Sequence, residues 1–490
     1  MMPRPAPSRQ FPVRAPRDGD EGRCPVYVVW EITLACNLRC AHCGSRAGRP
    51  RAAELSTAEC LALIDELHAL GTREITLIGG EAFLRRDWLA LVERIAQRGM
   101  LCGLQTGGRN LDEATIAAAA RAGLRAAGVS IDGPPEIHDR LRGVPGSHAH
   151  AIRVLEAFRR RGLSATVNTQ INARNAERLR EIMTAIVAAG ATAWQLQLTV
   201  AMGNAADDPE LLLQPFRLRE LMPLLAELHR EAARHGLRLQ PGNNIGYFGP
   251  YEAIWRSVTG RVEYYGGCHA GRTALGIEAD GTIKGCPSLP TRDYAGGNVR
   301  DTPLAEIWAR AAELSFMRAP ERSRARLSGY CRACYYADIC RGGCTWTAHA
   351  LGRGPGNNPY CHYRVLRLAE RGWRERIVQR RHPEGRPFDY GEFDILVEDA
   401  AGRVLDQTVY ESEPAVPLRG GGLELCEACR QFVHAGADPC PHCRAPRTDS
   451  GDADALYART AFALQAWQEQ IARVSARIAR LRTGGFNSVD

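Results

Sequence analysis

The stretch EITLACNLRCAHCGSRAG, residues 31–48, places three cysteines within eight residues: Cys36, Cys40 and Cys43. The next cysteine is Cys60, so this loop offers three thiols where a closed zinc site or a fully protein-ligated iron–sulfur cluster needs four. Either a distant residue or a molecule that is not protein therefore supplies the fourth ligand.

The residues around this loop predict a parallel α/β sheet. Short runs rich in β-branched residues alternate with Ala- and Leu-rich helical stretches, and Ser56 and Glu59 form a predicted capping box at the first helix. The alternation favours an open, partial (β/α)6 TIM-type barrel with the cysteine loop at the carboxyl ends of its strands, where such folds bind ligands. The predicted strands are 26–33, 74–78, 101–106, 126–131, 165–171 and 193–198.

Composition divides the chain into further segments. Its net charge is +8, but Lys284 is the only lysine and the charges are interspersed, so we do not expect nucleic-acid binding. No signal segment or apolar run of membrane-spanning length is present, which predicts a soluble, cytoplasmic protein without membrane contact. The predicted segments are a disordered tail (1–24), the barrel (25–240), a Cys-rich domain (241–372), a linker (373–387), a β-hairpin region (388–420), a zinc ribbon (421–446) and a C-terminal helix (452–482).

Clustering of the cysteines indicates metal binding, since disulfides are rare in a reducing compartment. Of 17 cysteines, only Cys24, Cys60 and Cys102 stand apart, and these are interpreted as small buried apolar residues. Two Cys-x-x-Cys pairs ten residues apart suit a closed zinc ribbon, with rubredoxin-like iron as the alternative. The groups beyond the first loop are Cys268, Cys286, Cys331, Cys334, Cys340, Cys344 and Cys361, and then Cys426, Cys429, Cys440 and Cys443.

The spacing Cys-x3-Cys-x2-Cys resembles that of the radical S-adenosylmethionine (SAM) enzymes. The resemblance implies that Cys36, Cys40 and Cys43 hold a [4Fe-4S] cluster whose open iron binds SAM. Further motifs resemble the family's SAM contacts, although His42 stands where the family often has an aromatic residue. These predicted contacts are Gly79, Gly80 and Glu81 after the second strand, Ser130 and Asp132 after the fourth, and Arg142.

The seven cysteines of the second group resemble the SPASM domain of that family. The resemblance implies two auxiliary [4Fe-4S] clusters, one of which has only three cysteine ligands and is open to substrate, water or another ligand. It also implies a flavodoxin- or ferredoxin-type reductant. The cluster sets are Cys331, Cys334, Cys340 and Cys361, and Cys268, Cys286 and Cys344.

Many SPASM enzymes modify peptides or proteins, so the resemblance implies radical hydrogen abstraction from a peptide or protein substrate, as in cross-linking or oxidation. Modification of a small molecule, such as a tetrapyrrole side chain or a sugar, stays open, as does a noncatalytic iron–sulfur scaffold. Pro287 and Ser288 follow Cys286 where sulfatase-maturing relatives carry an aspartate base, which disfavours that activity. Candidate substrate contacts are Asn243, Asn244 and Tyr247.

The remaining predictions concern the amino-terminal tail and the C-terminal region. Residues 1–24 are too few for the leader-binding winged helix of many peptide maturases, so a separate leader-binding protein or the region after residue 388 would take that role. The C-terminal helix is expected to dock on its own chain rather than to form a dimer. Truncation near Arg386 is expected to spare SAM cleavage without substrate.

Overall fold

The computed structural model describes residue 17 and residues 19–257, 262–318, 320–352, 354–405, 410 and 422–446. Two compact units are present, one formed by Met1–Tyr247 with Gly266–Val416 and the other by Phe248–Tyr265 with Pro417–Asp490. The predicted C-terminal helix lies outside the described residues. Within the described part of the chain, no helix has both the length and the apolar character needed to cross a membrane.

A mostly parallel ten-stranded sheet forms the centre of the first unit. The six predicted strands are confirmed and lie side by side in chain order, and a short seventh strand, which the sequence analysis missed, follows them. The strands are β1 (Tyr27–Glu31), β2 (Glu74–Ile78), β3 (Leu101–Thr106), β4 (Leu124–Ser130), β5 (Ser164–Ile171), β6 (Ala193–Leu198), β7 (Arg238–Pro241), β8 (Ala274–Ile277), β9 (Thr282–Lys284) and β10 (Ala295–Asn298).

Strands from the Cys-rich region extend this same sheet. β8 pairs in parallel with β1, and β9 and β10 then add antiparallel, which leaves β7 and β10 at the two edges. The barrel is therefore open, as predicted. Because β9 ends two residues before Cys286, the sheet itself carries part of the Cys-rich region.

Helices connect the parallel strands. The predicted capping box is confirmed: the Ser56 hydroxyl accepts a hydrogen bond from the Glu59 N–H, and the Glu59 carboxylate accepts one from the Ser56 N–H. The helices of this part are α1 (Thr57–Ala69), α2 (Trp88–Gln97), α3 (Glu113–Ala122), α4 (Pro135–Arg142), α5 (Ser147–Arg160), α6 (Leu179–Ala188) and α7 (Leu218–Arg234).

The described end of the amino-terminal tail is ordered. Residues 19–24 form turns, the Asp20 carboxylate pairs with Arg73, and the Trp308 indole N–H donates to the Arg23 carbonyl at 3.2 Å. The predicted disorder is therefore wrong for these residues, because ion pairs with the barrel compensate for their low apolar content. Residues 1–16 lie outside the described part.

Short helices dominate the Cys-rich region of the first unit. Its apolar core includes Cys268, Leu289, Tyr294 and Phe316, so at least one of the predicted ligands is part of the core. The helices are α9 (Thr291–Tyr294), α10 (Leu304–Arg310), α11 (Ala312–Ser315), α12 (Pro320–Ala325), α13 (Gly329–Arg332), α14 (Ala337–Cys340), α15 (Thr345–Gly352) and α16 (His362–Glu370). The second unit contributes α8 (Glu252–Arg256).

The predicted linker at 373–387 is wrong, because β11 (Arg374–Arg381) pairs along its length with β12 (Glu392–Glu398). One polar residue of this segment, Glu375, forms a buried ion pair. The Arg364 guanidinium donates to the Glu375 carboxylate at 2.5 Å, and both side chains are fully buried. The predicted hairpin is present, since β12 continues through a turn at Asp399 into β13 (Val404–Leu405).

The second unit joins two distant segments. β14 (Leu423–Leu425) pairs with β15 (Phe432–His434), and the Tyr264 ring packs edge-on against Phe432 at 5.2 Å between ring centroids. The buried Glu252 carboxylate accepts hydrogen bonds from the N–H groups of Phe248 and Tyr265. Residues 248–265, which the sequence analysis placed in the Cys-rich domain, therefore pack with the ribbon instead.

Candidate active site

The three-cysteine loop directly follows β1 and closes on itself. The Cys36 N–H donates to the Gly48 carbonyl at 3.1 Å, and the Gly48 N–H donates to the Leu34 carbonyl at 3.0 Å. Cys36, Cys40 and Cys43 all line one cavity of about 260 Å³. The structure thus brings the three predicted ligands to a single site.

Donors next to the sulfur atoms show that this site suits a metal cluster. The Leu38 N–H lies 3.4 Å from Cys36 Sγ, the Ala47 N–H lies 3.4 Å from Cys43 Sγ, and Arg142 Nη1 lies 3.6 Å from Cys40 Sγ. Burial raises the pKa of Cys36 to about 12 and that of Cys40 to about 11. These thiols therefore need a bound cation to become thiolates near neutral pH.

The Gly79–Gly80 turn after β2 packs against the backbone of the cysteine loop. A Cβ atom on Gly79 would lie 2.3 Å from the Thr33 carbonyl oxygen, and one on Gly80 would lie 2.3 Å from that of Ala35. The N–H groups of Gly80 and Glu81 donate to the same two carbonyls at 2.8 Å. The two glycines are predicted SAM contacts. In the structure they also allow the turn after β2 to pack directly against the backbone of the cysteine loop.

The Glu81 side chain lines the cavity, and hydrogen bonds from Thr106 and Gly107 fix its orientation. Its carboxylate accepts hydrogen bonds from the Thr106 hydroxyl and from the Gly107 N–H, the second at 2.9 Å. Burial raises the pKa of Glu81 to about 7. Thr106, at the end of β3, was not identified from the sequence, because a single threonine in a strand carries no motif.

The predicted SAM contacts after β4 have two different environments. Ser130 and Arg142 line the cavity, but Asp132 is fully buried, pairs with Arg142, and lies 3.2 Å from His42 Nε2. Burial would raise the pKa of Asp132, but the charge of Arg142 and the adjacent His42 outweigh it and hold the pKa well below its ordinary value. Asp132 is therefore placed to orient Arg142. It was predicted as a SAM contact, but it is not among the residues that line the cavity.

Most of the remaining cavity wall was not predicted from the sequence. Three glutamines, Gln105, Gln170 and Gln197, point into the cavity from β3, β5 and β6. The Gln105 amide N–H₂ donates to the Ser130 hydroxyl at 3.2 Å. The available signal was a glutamine near the carboxyl end of three of the four neighbouring strands β3 to β6. The remaining wall includes Glu31, Val200, Met202, Pro287, Ser288, Trp346 and Phe388.

Two members of the predicted three-cysteine auxiliary set, Cys268 and Cys286, pack in one apolar core, and their charges act on the third, Cys344. Burial, followed by the charge of Cys268, raises the pKa of Cys286 to about 11. Burial, followed by the charges of Cys268 and Cys286, raises the pKa of Cys344 to about 12. Trp346 packs against the core around Cys268 and also lines the cavity, so this set lies on the cavity's side of the Cys-rich region.

The four-cysteine auxiliary set is also assembled. Burial, followed by the charges of Cys361, Cys331 and Cys334, raises the pKa of Cys340 far above its ordinary value. The Arg364 N–H lies 3.5 Å from Cys361 Sγ, and Arg364 Nη1 lies 4.0 Å from Cys331 Sγ. A bound cation would favour the thiolate forms of these cysteines, as at the first site.

The predicted substrate contacts at 243–247 include residues that hold the fold. The Asn244 side chain bonds to both the N–H and the carbonyl of Leu198, at the end of β6. The buried Tyr247 hydroxyl donates to the Asn243 carbonyl at 2.8 Å and accepts from the Cys344 N–H at 2.8 Å. Asn244 and Tyr247 thus position β6 and a cysteine loop.

The cysteines of the second unit form a compact four-sulfur group. The Sγ atoms of Cys426, Cys429, Cys440 and Cys443 all lie within 4.8 Å of one another. Arg430 and Arg444, each following the second cysteine of a Cys-x-x-Cys pair, have left-handed φ angles of 59° and 63°. Both pairs are therefore followed by a residue in the left-handed conformation.

Comparisons with known proteins identify the class to which this fold and these cysteine sets belong. The radical SAM superfamily model matches residues 30–186, and the model of SPASM, an iron–sulfur cluster-binding domain, matches residues 268–335. The AdoMet-dependent heme synthase of Oleidesulfovibrio alaskensis is 30% identical over 359 residues, which span 69% of this chain and 87% of that protein. The chain belongs to the radical SAM superfamily and, within it, to the SPASM-containing enzymes.

Other comparisons agree with this assignment. The mycofactocin maturase MftC of Mycobacterium ulcerans is 29% identical over 326 residues, which span 65% of this chain and 83% of that protein. Streptococcus suis SuiB bound to S-adenosylmethionine matches with a TM-score of 0.54 at 16% identity, covering 69% of this chain and 76% of that one. The anSMEcpe structure with bound AdoMet matches with a TM-score of 0.56 at 17% identity, covering 71% and 96%. The two structures share the fold.

We expect Gly80→Ala to disrupt the radical site, because the new Cβ would meet the backbone oxygen of Ala35 rather than a movable side chain. Displacing the cysteine loop should lower SAM cleavage by about tenfold or more, as expected from a strain of one to three kcal/mol. Anaerobic iron analysis and release of 5′-deoxyadenosine measure this. Gly48→Ala is the control, since its Cβ would meet nothing within 4 Å; equal activity of the two variants would contradict the packing role.

Proposed function

We propose that this radical SAM enzyme modifies a peptide or protein. The observation that carries the proposal is the amide wall of the cavity, where Gln170 and Gln197 line the cavity together with Gln105, whose own amide is already bonded to Asn168 and Ser130. Primary amides both donate and accept hydrogen bonds, as peptide groups do, so this wall complements a peptide backbone. A relative named as a maturase supports the same substrate class.

A tetrapyrrole is the second candidate substrate, because a relative named as a heme synthase has about the same sequence identity to this chain as the maturase has. Tetrapyrrole intermediates carry several carboxylates, which bind best to unpaired cationic side chains. Among the described residues lining the cavity, Arg142 is the sole arginine or lysine, and Asp132 neutralises it. The charge of the wall therefore favours the peptide.

The three cysteines of the first loop would hold the SAM-binding cluster. When bound, the reduced cluster supplies the electron that cleaves SAM into methionine and a 5′-deoxyadenosyl radical able to abstract hydrogen. The chain's own residues would hold SAM and shield the cavity, which is lined by Gly79, Gly80, Glu81, Ser130 and Arg142. The two auxiliary cysteine sets would hold two further [4Fe-4S] clusters, and a flavodoxin or ferredoxin would deliver electrons.

The SAM-cleavage assay tests the first step. Reduced by dithionite and given SAM, the parent should hold about 12 Fe and release 5′-deoxyadenosine. The variant Cys36→Ala/Cys40→Ala/Cys43→Ala should retain about 8 Fe and release none. A matched triple variant, Cys24→Ala/Cys60→Ala/Cys102→Ala, removes three cysteines outside the groups and should behave as the parent. Equal release from the parent and the first variant would refute the cluster assignment.

The choice of substrate is tested by competition between two substrate classes. We expect peptides encoded next to this gene to lose about two hydrogens in mass when incubated with reduced enzyme and SAM, as in a radical oxidation. A propionate-bearing tetrapyrrole should stay unchanged under the same conditions. Modification of the tetrapyrrole and not of the peptides would reverse the proposal while leaving the radical chemistry intact.

The ribbon of the second unit would hold one zinc ion. Four thiols within 4.8 Å of one another suit tetrahedral coordination, and all four belong to one small fold. We expect about one zinc per chain by elemental analysis, and its loss in Cys440→Ser without change in the clusters' iron. Absence of zinc together with rubredoxin-like absorption would instead assign iron to this site.

A further inference from the structure

The loop between β11 and β12, residues 382–391, contacts the cysteine loop across the first unit. Asp389 Oδ1 accepts a hydrogen bond from Arg46 Nε at 2.7 Å, and the Asp389 carbonyl accepts one from the Gly203 N–H at 2.8 Å. Both family models end before this loop, at residues 186 and 335. The contact is therefore a feature of this chain that the family match does not describe.

Arg46 lies three residues after Cys43 and is bound on several sides. Its Nη1 donates to Asn204 Oδ1 at 3.0 Å, and its guanidinium makes two bonds to the Asp207 carboxylate at 2.6 and 2.8 Å. Its backbone is left-handed, with φ of 50°, which a non-glycine residue adopts only when its surroundings hold it. Arg46 thus requires its three partners to keep this conformation.

Asn204 is hydrogen-bonded both to Arg46 and to the cysteine loop, so it couples the position of Arg46 to that of the cysteines. Its N–H donates to the Cys43 carbonyl at 2.9 Å, and its side-chain N–H₂ donates to the Cys40 carbonyl at 2.9 Å. The adjacent Gly203 packs so closely that a Cβ atom would lie 2.3 Å from the Cys43 carbonyl oxygen. Two of the three cysteines are therefore fixed by a network that includes Asp389.

The 382–391 loop is itself rigidly seated. Asp389 Oδ2 accepts from the N–H groups of Gly385 and Arg386 at 2.6 and 2.9 Å. The neighbouring Phe388 lines the cavity, and its ring lies over the buried Lys284 ammonium at 3.9 Å from the ring centroid. Lys284 is in turn fixed by Glu278 at 2.6 Å. The loop can therefore hold Arg46 in one place.

We infer that Asp389 is a positioning residue for the radical site, acting through Arg46 on the loop of Cys40 and Cys43. The inference rests on the proposed role of these cysteines as cluster ligands. It extends the catalytic core as far as the loop of the β11–β12 hairpin. A cut near Arg386, expected from the sequence to spare SAM cleavage, would remove Asp389 and should instead impair it.

Asp389→Asn in the full-length, cluster-loaded protein tests this inference. We expect SAM cleavage without substrate to fall by about tenfold, since a charge-assisted hydrogen bond is lost, and the electron paramagnetic resonance spectrum of the reduced, SAM-bound cluster to shift. Asp389→Glu should restore most of both. The control Asp394→Asn removes an exposed carboxylate of the same hairpin, paired only with Arg380 among the ion pairs described, and should match the parent.

The background variant Arg46→Gln separates this route from a general structural effect. If Asp389 acts through Arg46, Asp389→Asn should cause no further loss in Arg46→Gln. Unchanged cleavage and spectrum in Asp389→Asn, or an equal loss in both backgrounds, would overturn the inference. Should Asp389→Asn not accumulate, normal cleavage in Arg46→Lys would overturn it, because lysine cannot bind all three partners together. A parent that releases no 5′-deoxyadenosine would refute the proposed function instead.

Discussion

The ion pair between Asp132 and Arg142 is the interaction on which the geometry of the radical site depends. Both side chains are buried, and the backbone beside Arg142 continues the contact: the Arg142 and Leu141 carbonyls accept the N–H groups of Arg39 and Ala41 at 3.1 and 2.8 Å. The end of α4 is thereby fastened to the cysteine loop. Removing one partner would leave an uncompensated buried charge, at a cost of about 3–5 kcal/mol.

Much of the fold could be predicted because its signals are local. β-Branched runs separated by helical stretches identified β1 to β6, and cysteine spacing identified sets that the structure brings together. The pairing of β8 with β1, the strand nature of β11 and the contact of Asp389 with Arg46 join residues far apart in sequence, and no periodicity encodes them. The polar, Arg-rich composition of residues 373–387 predicted a linker, because only the tertiary structure reveals that Glu375 has a buried partner in Arg364.

The cavity links the radical site to the auxiliary region through one aromatic side chain. Trp346 packs against the core around Cys268 on one side and against Met202 and Phe388 on the other, and it lines the cavity. A substrate in the cavity would therefore meet the cysteine loop on one wall and the three-cysteine set behind another.

The most direct test of the account is electron–nuclear double resonance on the reduced protein with SAM labelled by ¹⁷O in its carboxylate. If Cys36, Cys40 and Cys43 leave one iron open to SAM, the label should show hyperfine coupling to the cluster. The coupling should vanish in the variant lacking these three cysteines, which keeps its auxiliary sets. A coupling that persists in that variant, or none in the parent, would contradict the assignment of the radical site.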